Sequence, residues 1–383
     1  MPPLPVKSGG VIFESAARKL GWHPFPAPMA ILSQPRPGRS ACVQCGFCES
    51  FGCEVGAKSS TLATVIRVAE KTGRCEIRPN CYVHRIETGA HGQVTGAAYF
   101  DGKRTVHLQK AKAVVVCANG AETPRLLFLS ANKEFSDGLA NSSGLVGKYL
   151  MMNSGSSARA VFEHPQNDYK GFAVSRVLHD FYELDPEKVG FFSGGGLDTR
   201  FDSTPIGFAD DYLPHETLMW GKEFKATLAH NFTRTMSIMS HGTSLPVENN
   251  SFSLDPDLKD AWGLPAIRMT YKDHPDDLKL GVFLRARMME LLDATDAKQK
   301  WANPVEEQDF AYHLLGTCRM GNDPKTSVVN ADHRTHDIKN LFLCDGSSLV
   351  SSGRGQPTMT IQALAYRAAD RITALAKRGG LGA

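Results

Sequence analysis

Nothing in this sequence reads as a membrane span: its longest apolar runs, such as "AVVVCA", are strand-sized, whereas a bilayer-crossing helix needs about 20 apolar residues. The opening "MPPLPVKSGG" does not read as a secretory signal, because no charged region is followed by an apolar one; export, if it occurs, is expected to depend on something else. There is also no basic run interleaved with aromatics. Lys plus Arg number 43 against 40 Asp plus Glu, so nucleic acid is not an expected partner. Nine cysteines is an odd count, and 383 residues with 42% hydrophobic content can bury a large core without stapling, which argues against a disulfide framework. That length suggests two or three domains.

What is present has a recognisable order. Residues 1–40 are rich in proline and glycine around one short helical candidate, "VIFESAARKL". Beyond a cysteine cluster, "TLATVIRVAEKTG" has apolar residues at helical spacing and a glycine stop. Short strands with glycine turns then lead to an apolar strand at Ala113 to Ala118. That strand feeds the helix "AETPRLLFLSA" with Pro124 near its first turn, a doubly wound fragment. Residues 150–310 mix strand and helix, and "LKLGVFLRARMMELLDA" is the clearest amphipathic helix among them. Near the end, a buried strand closes on Asp345-Gly346, and a Ser/Gly loop enters a long helix at Pro357. Ile361, Leu364, Ala365, Ala368, Ile372 and Leu375 share one face of that helix, and its N-terminus points back at the loop.

The cluster "CVQCGFCESFGC" places Cys42, Cys45, Cys48 and Cys53 within a dozen positions. Structural zinc usually takes two C-x-x-C pairs far apart in sequence, so one compact run favours an iron–sulfur cluster. Zinc and free or regulatory thiols are the alternatives. The spacing C-x2-C-x2-C-x4-C is close to the bacterial ferredoxin run, although the last gap is one residue longer and Glu54 follows where proline is expected. Gly46 and Gly52 are expected to let backbone N–H groups approach the sulfurs. Cys117 and Cys344 lie in apolar strands and read as core.

The segment "YHLLGTCRMGNDPKTSVVNADHRTHDIKNLFLCDGSSLV", with "GQPTMTIQALAYRAADRI", resembles the closing block of the glucose-methanol-choline (GMC) family of flavin oxidoreductases. His313, Gly316, Thr317, Met320 and Gly321 match one motif, and Asp345, Gly346 and Ser347 another. "CANGAETPRLLFLSA" resembles the family's second flavin-domain signature, and "GLVGKYLM" the segment after it. The cysteine stretch resembles sugar, sugar-acid and polyol dehydrogenases that carry an iron–sulfur cluster and hand electrons to a cytochrome. Two departures stand out. The G-x-G-x-x-G fingerprint is absent: "SGGGLD" lacks the spacing and "GRGQPT" stops after two glycines, so the chain looks N-terminally truncated. Gln356 stands where many relatives have Asn.

The resemblance implies a mixed α/β fold with an FAD-binding dinucleotide-type domain and an inserted substrate domain built on an antiparallel sheet. The expected domains are 1–150 (FAD-binding, with the cysteine loop), 151–310 (substrate) and 311–383 (the return to the FAD domain). His313 would be the base that removes the hydroxyl proton as hydride leaves for the flavin; a core histidine is the plain alternative. Gln356 would donate to the substrate oxygen, against a role as a helix-entry residue. Asp345 and Gly346 would hold the cofactor near its pyrophosphate, with Gly120, Thr123, Pro357 and Thr358 beside it; a turn-forming Asp-Gly is the alternative for the first pair. Expected cofactors are FAD and an iron–sulfur cluster bound by Cys42, Cys45, Cys48 and Cys53. Expected partners are a sugar or polyol substrate, a cytochrome c subunit and a small export or chaperone subunit, which would place the chain on the periplasmic face; unpartnered, it would be cytoplasmic.

Overall fold

Side-chain alternation along the strands gives the largest sheet one apolar and one polar face, whereas the parallel pair of strands is apolar throughout. The strands are β1 (Phe25–Pro26), β2 (Tyr82–Thr88), β3 (Val94–Phe100), β4 (Val106–Lys110), β5 (Val114–Val116), β6 (Ser157–Val161), β7 (Val174–Leu178), β8 (Gly195–Arg200), β9 (Thr235–Gly242), β10 (Ser251–Lys259), β11 (Pro265–Thr270), β12 (Gln299–Ala302) and β13 (Leu341–Leu343). This is a computed structural model, and it describes residues 1–49, 51–153, 155–307 and 313–381. The chain forms two units: Met1–Ile77 with Gly155–Gly242 and Leu278–Glu306, and Arg78–Ser154 with Thr243–Asp277 and Glu307–Ala383.

The first unit is built on a six-stranded sheet in the order β1-β7-β8-β9-β6-β12, with every neighbouring pair antiparallel. One face carries Ala158, Ala160, Leu178, Leu197, Met236 and Ile238. Against it pack Phe13, Ala16 and Ala17 of the helix Ser8–Lys19 and Leu280, Leu284, Met288, Leu291 and Leu292 of the helix Pro275–Asp293. Those positions recur at three- and four-residue spacing, which keeps one stripe of each helix on the sheet. The alternate strand positions are polar and largely buried. Asp198 meets Arg200 at 3.2 Å and His241 at 3.1 Å; burial opposes its charge, yet these partners hold its pKa down at about 2. Arg159 pairs with Asp211 at 2.9 Å and lies 4.1 Å above the Tyr212 ring.

The second unit holds the antiparallel meander β2-β3-β4, the hairpin β10-β11 and a parallel pair, β5 and β13. Its core joins Ile86, Val94, Val116, Leu127, Leu139, Val328, Val329, Leu341 and Leu343. The apolar strand expected at Ala113 to Ala118 is β5. It leads into the helix Asn119–Leu129, which begins two residues before the expected stretch and so puts Pro124 in its second turn. Proline has no N–H to give the carbonyl four residues back. That carbonyl, on Gly120, instead accepts the Thr317 hydroxyl at 2.6 Å. The long helix spans Thr358–Lys377 with Pro357 at its cap. Its expected apolar stripe is half-buried, with Ala368 fully so.

These units divide the chain differently from the expected domains. Residues 1–77, cysteine loop included, belong with the six-stranded sheet, because Phe13, Ala16 and Ala17 complete that sheet's core and β1 pairs with β7. Residues 243–277 belong with the parallel pair. The boundary expected at 310/311 lies outside the described residues. The helix expected in "TLATVIRVAEKTG" runs as a π-helical turn, Leu62–Ile66, into Arg67–Lys71, with none of its residues buried.

Candidate active site

An isolated antiparallel pairing brings two distant segments together. Met151 and Leu315 exchange backbone hydrogen bonds at 3.0 and 3.1 Å, so the register sets Asn153 opposite His313. The two side chains meet, with His313 Nδ1 2.5 Å from Asn153 Oδ1. Asn153 Nδ2 donates in turn to the carbonyl of Gly355 at 3.4 Å. With Nδ2 turned to a carbonyl, Oδ1 faces the imidazole and accepts from it in the tautomer that carries its proton on Nδ1. In that tautomer Nε2 is the ring nitrogen without a proton. His313 holds a left-handed backbone conformation, φ 48°, uncommon outside glycine and a mark of a site that over-determines its backbone.

The segments that carry these groups are fixed from beneath. Ser244 Oγ receives the Met152 N–H at 3.4 Å, and the Ser244 N–H donates to Ser352 Oγ at 2.7 Å. Tyr271 OH stands 3.1 Å from Ser244 Oγ and donates to Asp273 Oδ1, also at 3.1 Å. Asp277 accepts the Leu245 N–H at 3.1 Å; burial, reinforced by the nearby Asp273 charge, pushes its pKa up to about 7. Gln356 is exposed on the loop that Ser352 and Gly355 anchor, Pro357 is buried behind it, and Thr358 begins the helix.

Both parallel strands end at this loop's side of the unit. Asp345, just past β13, accepts the Thr123 hydroxyl on Oδ2 at 2.5 Å and the Ser347 N–H on Oδ1 at 2.8 Å. Thr123 Oγ1 also accepts the Ala118 N–H at 3.1 Å. Gly120 and Gly346 both serve close packing: a Cβ on Gly120 would lie 2.2 Å from the Leu314 carbonyl, and one on Gly346 would lie 2.6 Å from the Leu315 side chain. A buried carboxylate and tight turns lie at the carboxyl ends of two parallel strands, the end of the sheet where doubly wound folds take dinucleotide cofactors. The residues present fit an FAD there.

The cysteine loop belongs to the other unit. Cys42, Cys48 and Cys53 pack against Ile31, Leu32, Ala57 and Phe172, while Cys45 is exposed. Backbone N–H groups of Gln44 and Lys58 reach the sulfurs of Cys42 and Cys53, each at 3.4 Å. The N–H donors at the sulfurs are thus Gln44 and Lys58, and the two glycines differ in another way. Gly46 is needed because a Cβ would lie 2.6 Å from the Tyr169 carbonyl, at φ 88°; Gly52 faces open space. Amide donation holds the Cys53 thiol below its ordinary pKa, and burial pushes Cys48 up. Lys58 Nζ clamps the loop through the carbonyls of Cys48 and Phe51, at 2.5 and 2.7 Å. Among the described residues, no group of three or more His, Cys, Asp or Glu side chains is placed to hold a metal ion. The loop therefore brings thiols and backbone N–H donors together, with no preformed coordination shell among the described residues.

The expected residues thus fall into two sets: His313, Gln356, Asp345, Gly346, Gly120, Thr123, Pro357 and Thr358 in one unit, and the four cysteines in the other. Asn153 is the site residue that sequence reading missed. Its neighbours "MMNSG" carry no motif, and only the 151/315 register exposes its role.

Two family models, both described as GMC oxidoreductase, match residues 11–153 and 246–365, and the chain belongs to that family. It is 39% identical over 96% of its length to a 2-methyl-1,2-propanediol dehydrogenase from Mycolicibacterium austroafricanum, covering 67% of that protein. To the fructose dehydrogenase large subunit of Gluconobacter japonicus it is 31% identical, over 99% of this chain and 68% of the relative. To the gluconate 2-dehydrogenase flavoprotein of Pantoea cypripedii the figures are 28%, 97% and 63%. The chain thus spans about two thirds of the length of these relatives. Among solved structures, pyridoxine 4-oxidase from Mesorbium loti shares the fold, with a TM-score of 0.64 at 15% identity over 96% of this chain and 71% of that one.

Proposed function

We propose that this chain is the flavoprotein part of a dehydrogenase that oxidises an alcohol group of a sugar, sugar acid or polyol, with electrons leaving through an iron–sulfur cluster to an external acceptor such as a cytochrome c. The observation that carries the reading is the His313–Asn153–Gly355 linkage. It supports the histidine tautomer that leaves Nε2 to accept a proton, next to the loop that bears an amide side chain, Gln356. A bound FAD supplies the acceptor for the hydride that leaves carbon.

His313 Nε2 takes the hydroxyl proton as the carbon–hydrogen bond breaks, and Asn153 keeps the imidazole oriented while the ring becomes cationic. Gln356 donates to the substrate oxygen while charge grows on it. Asp345 would hold the cofactor chain near its pyrophosphate, with Thr123 and the Ser347 N–H orienting its carboxylate. Cys42, Cys45, Cys48 and Cys53 would hold the cluster, which when bound would supply one-electron steps toward a haem acceptor. The diol and sugar substrates in the names of the relatives support the substrate class. A 'large subunit' among them supports assembly with other chains. On this reading the export subunit and the periplasmic face follow from those partners.

The test is dye-linked oxidation of vicinal diols, hexitols, ketohexoses and aldonic acids by the purified protein. Turnover of at least one of these classes, with none on simple primary alkanols, supports the reading. Activity confined to alkanols contradicts it.

A further inference from the structure

Cys117 and Cys344 follow the last registered residues of the two parallel strands. The register runs Leu341 with Val114, Phe342 with Val115 and Leu343 with Val116, so the next pair along is Cys344 with Cys117. This pair is pinned on both sides. The Cys344 N–H donates to the Val116 carbonyl at 2.8 Å. One step further, Thr123 Oγ1 joins the Ala118 N–H to Asp345 at 3.1 and 2.5 Å.

Registered residues on parallel neighbours point to the same face. Strand spacing of about 4.8 Å falls inside the Cα separation of about 4.4–6.8 Å that a disulfide requires. Both thiols are free, Cys344 buried and Cys117 exposed, so a small oxidant can reach the pair from the Cys117 side. With the two side chains on one face of neighbouring strands, the Cys117 S–H lowers the pKa of Cys344 while its own is raised. This asymmetry makes Cys344 the nucleophilic sulfur and Cys117 the resolving one, with the oxidant reaching Cys344 past the exposed Cys117.

We propose that Cys117 and Cys344 form a redox-active dithiol at the carboxyl ends of the two parallel strands, closed to a disulfide by hydroperoxides. One thiolate attacks the peroxide oxygen. The O–O bond breaks, an alcohol (or water, from hydrogen peroxide) leaves with the proton, and a sulfenic acid forms. The second thiolate displaces the hydroxyl, which leaves as water, and the S–S bond forms. The two sulfurs together lose two electrons and the peroxide gains them. Thioredoxin-type dithiols reverse the step. Because Cys344 precedes Asp345, the oxidation state of the pair reports at the residue assigned to the cofactor.

The experiment treats the whole purified protein with stoichiometric hydrogen peroxide, alkylates the remaining thiols and digests with trypsin without reductant. Cleavage after Lys112, Arg125, Lys339 and Arg354 releases one peptide with Cys117 and another with Cys344. The expected result is a species joining residues 113–125 to 340–354, lighter than the two peptides by two hydrogens. It should vanish on dithiothreitol treatment and in Cys117→Ser. In that variant Cys344 should stop at a sulfenic acid that dimedone traps. Recovery of both peptides alkylated, either one irreversibly oxidised without a link, or Cys117 or Cys344 joined to the 42–53 loop overturns the proposal. The wild-type reading decides the matter even where a variant fails to fold.

Discussion

Thr317 shows how one side chain offsets a backbone defect. Pro124 leaves the Gly120 carbonyl without its helical donor, and the Thr317 hydroxyl fills that place at 2.6 Å inside a buried environment. Thr317→Val keeps the shape and removes the donor, so it should cost about 1–3 kcal/mol through an unsatisfied buried acceptor; urea denaturation checks it, and an unchanged midpoint contradicts the assignment. Asn153 permits a sharper test. An aspartate there would favour the imidazolium of His313, since a carboxylate stabilises a neighbouring cation. Asn153→Asp should therefore move the acid limb of kcat/KM to higher pH, because more alkaline conditions are needed to free the base. An acid limb that stays in place means Asn153 does not orient the histidine. At this scale the sequence was partly legible: the His-x-x-Gly-Thr motif singled out His313 and Thr317, but its partner Asn153 lies 160 positions away in a stretch without a signal. The same distance problem hides the Thr123–Asp345 bond.

Elements were legible where period and length agreed. The helices Pro275–Asp293 and Thr358–Lys377 follow their apolar stripes closely, and β5 and β13 fall within their apolar runs. Prediction was weaker where tertiary context decides. The helix after β5 starts early because the Asn119 side chain caps the N–H groups of Ala121 and Glu122, at 2.8 and 3.2 Å. The segment 61–73 has helical spacing but buries nothing, so its periodicity did not signal core. The first turn of the helix Pro275–Asp293 carries a testable group. Asp277, close to Asp273, Tyr271 and His274, has its pKa raised to about 7 by burial. In the unfolded chain it ionises near pH 4. Between those values the folded state keeps a proton that the unfolded state loses, so stability falls as pH rises, by up to about 1.4 kcal/mol per unit for this group. Below that window the term vanishes, and above it the loss is complete. Asp277→Asn removes the slope. Its stability relative to wild type should climb from pH 4 to 7 and then level off. A difference that stays flat with pH would place the Asp277 pKa at its ordinary value.

For the molecule as a whole, family and chemistry were legible because motifs encode the ends of strands and helices that build a cofactor crevice. The partition of the chain was not. Placing residues 1–77 with the six-stranded sheet depends on Phe13, Ala16 and Ala17 finding partners more than 140 positions away, and no local pattern reports such contacts. The consequence concerns the cysteines. They sit in the unit with the six-stranded sheet, on a loop clamped by Lys58 and seated on Ile31, Leu32 and Phe172. If they hold a cluster, protein purified without oxygen contains iron and acid-labile sulfide together, and Cys48→Ser loses a large part of both. Stoichiometric zinc without sulfide would exclude the cluster and leave a structural metal loop.

The central claim is that His313 takes the hydroxyl proton in a flavin-dependent alcohol oxidation, and anaerobic stopped-flow reduction tests it most directly. Purified protein is mixed with a hexitol or vicinal diol, and bleaching of the flavin band is followed in wild type and in His313→Ala. The account predicts bleaching in the wild type and at least about a hundredfold slower bleaching in the variant, the scale of a positioned base, with flavin content near normal in both. Equal rates in the two proteins, or loss of the flavin together with the histidine, would contradict it.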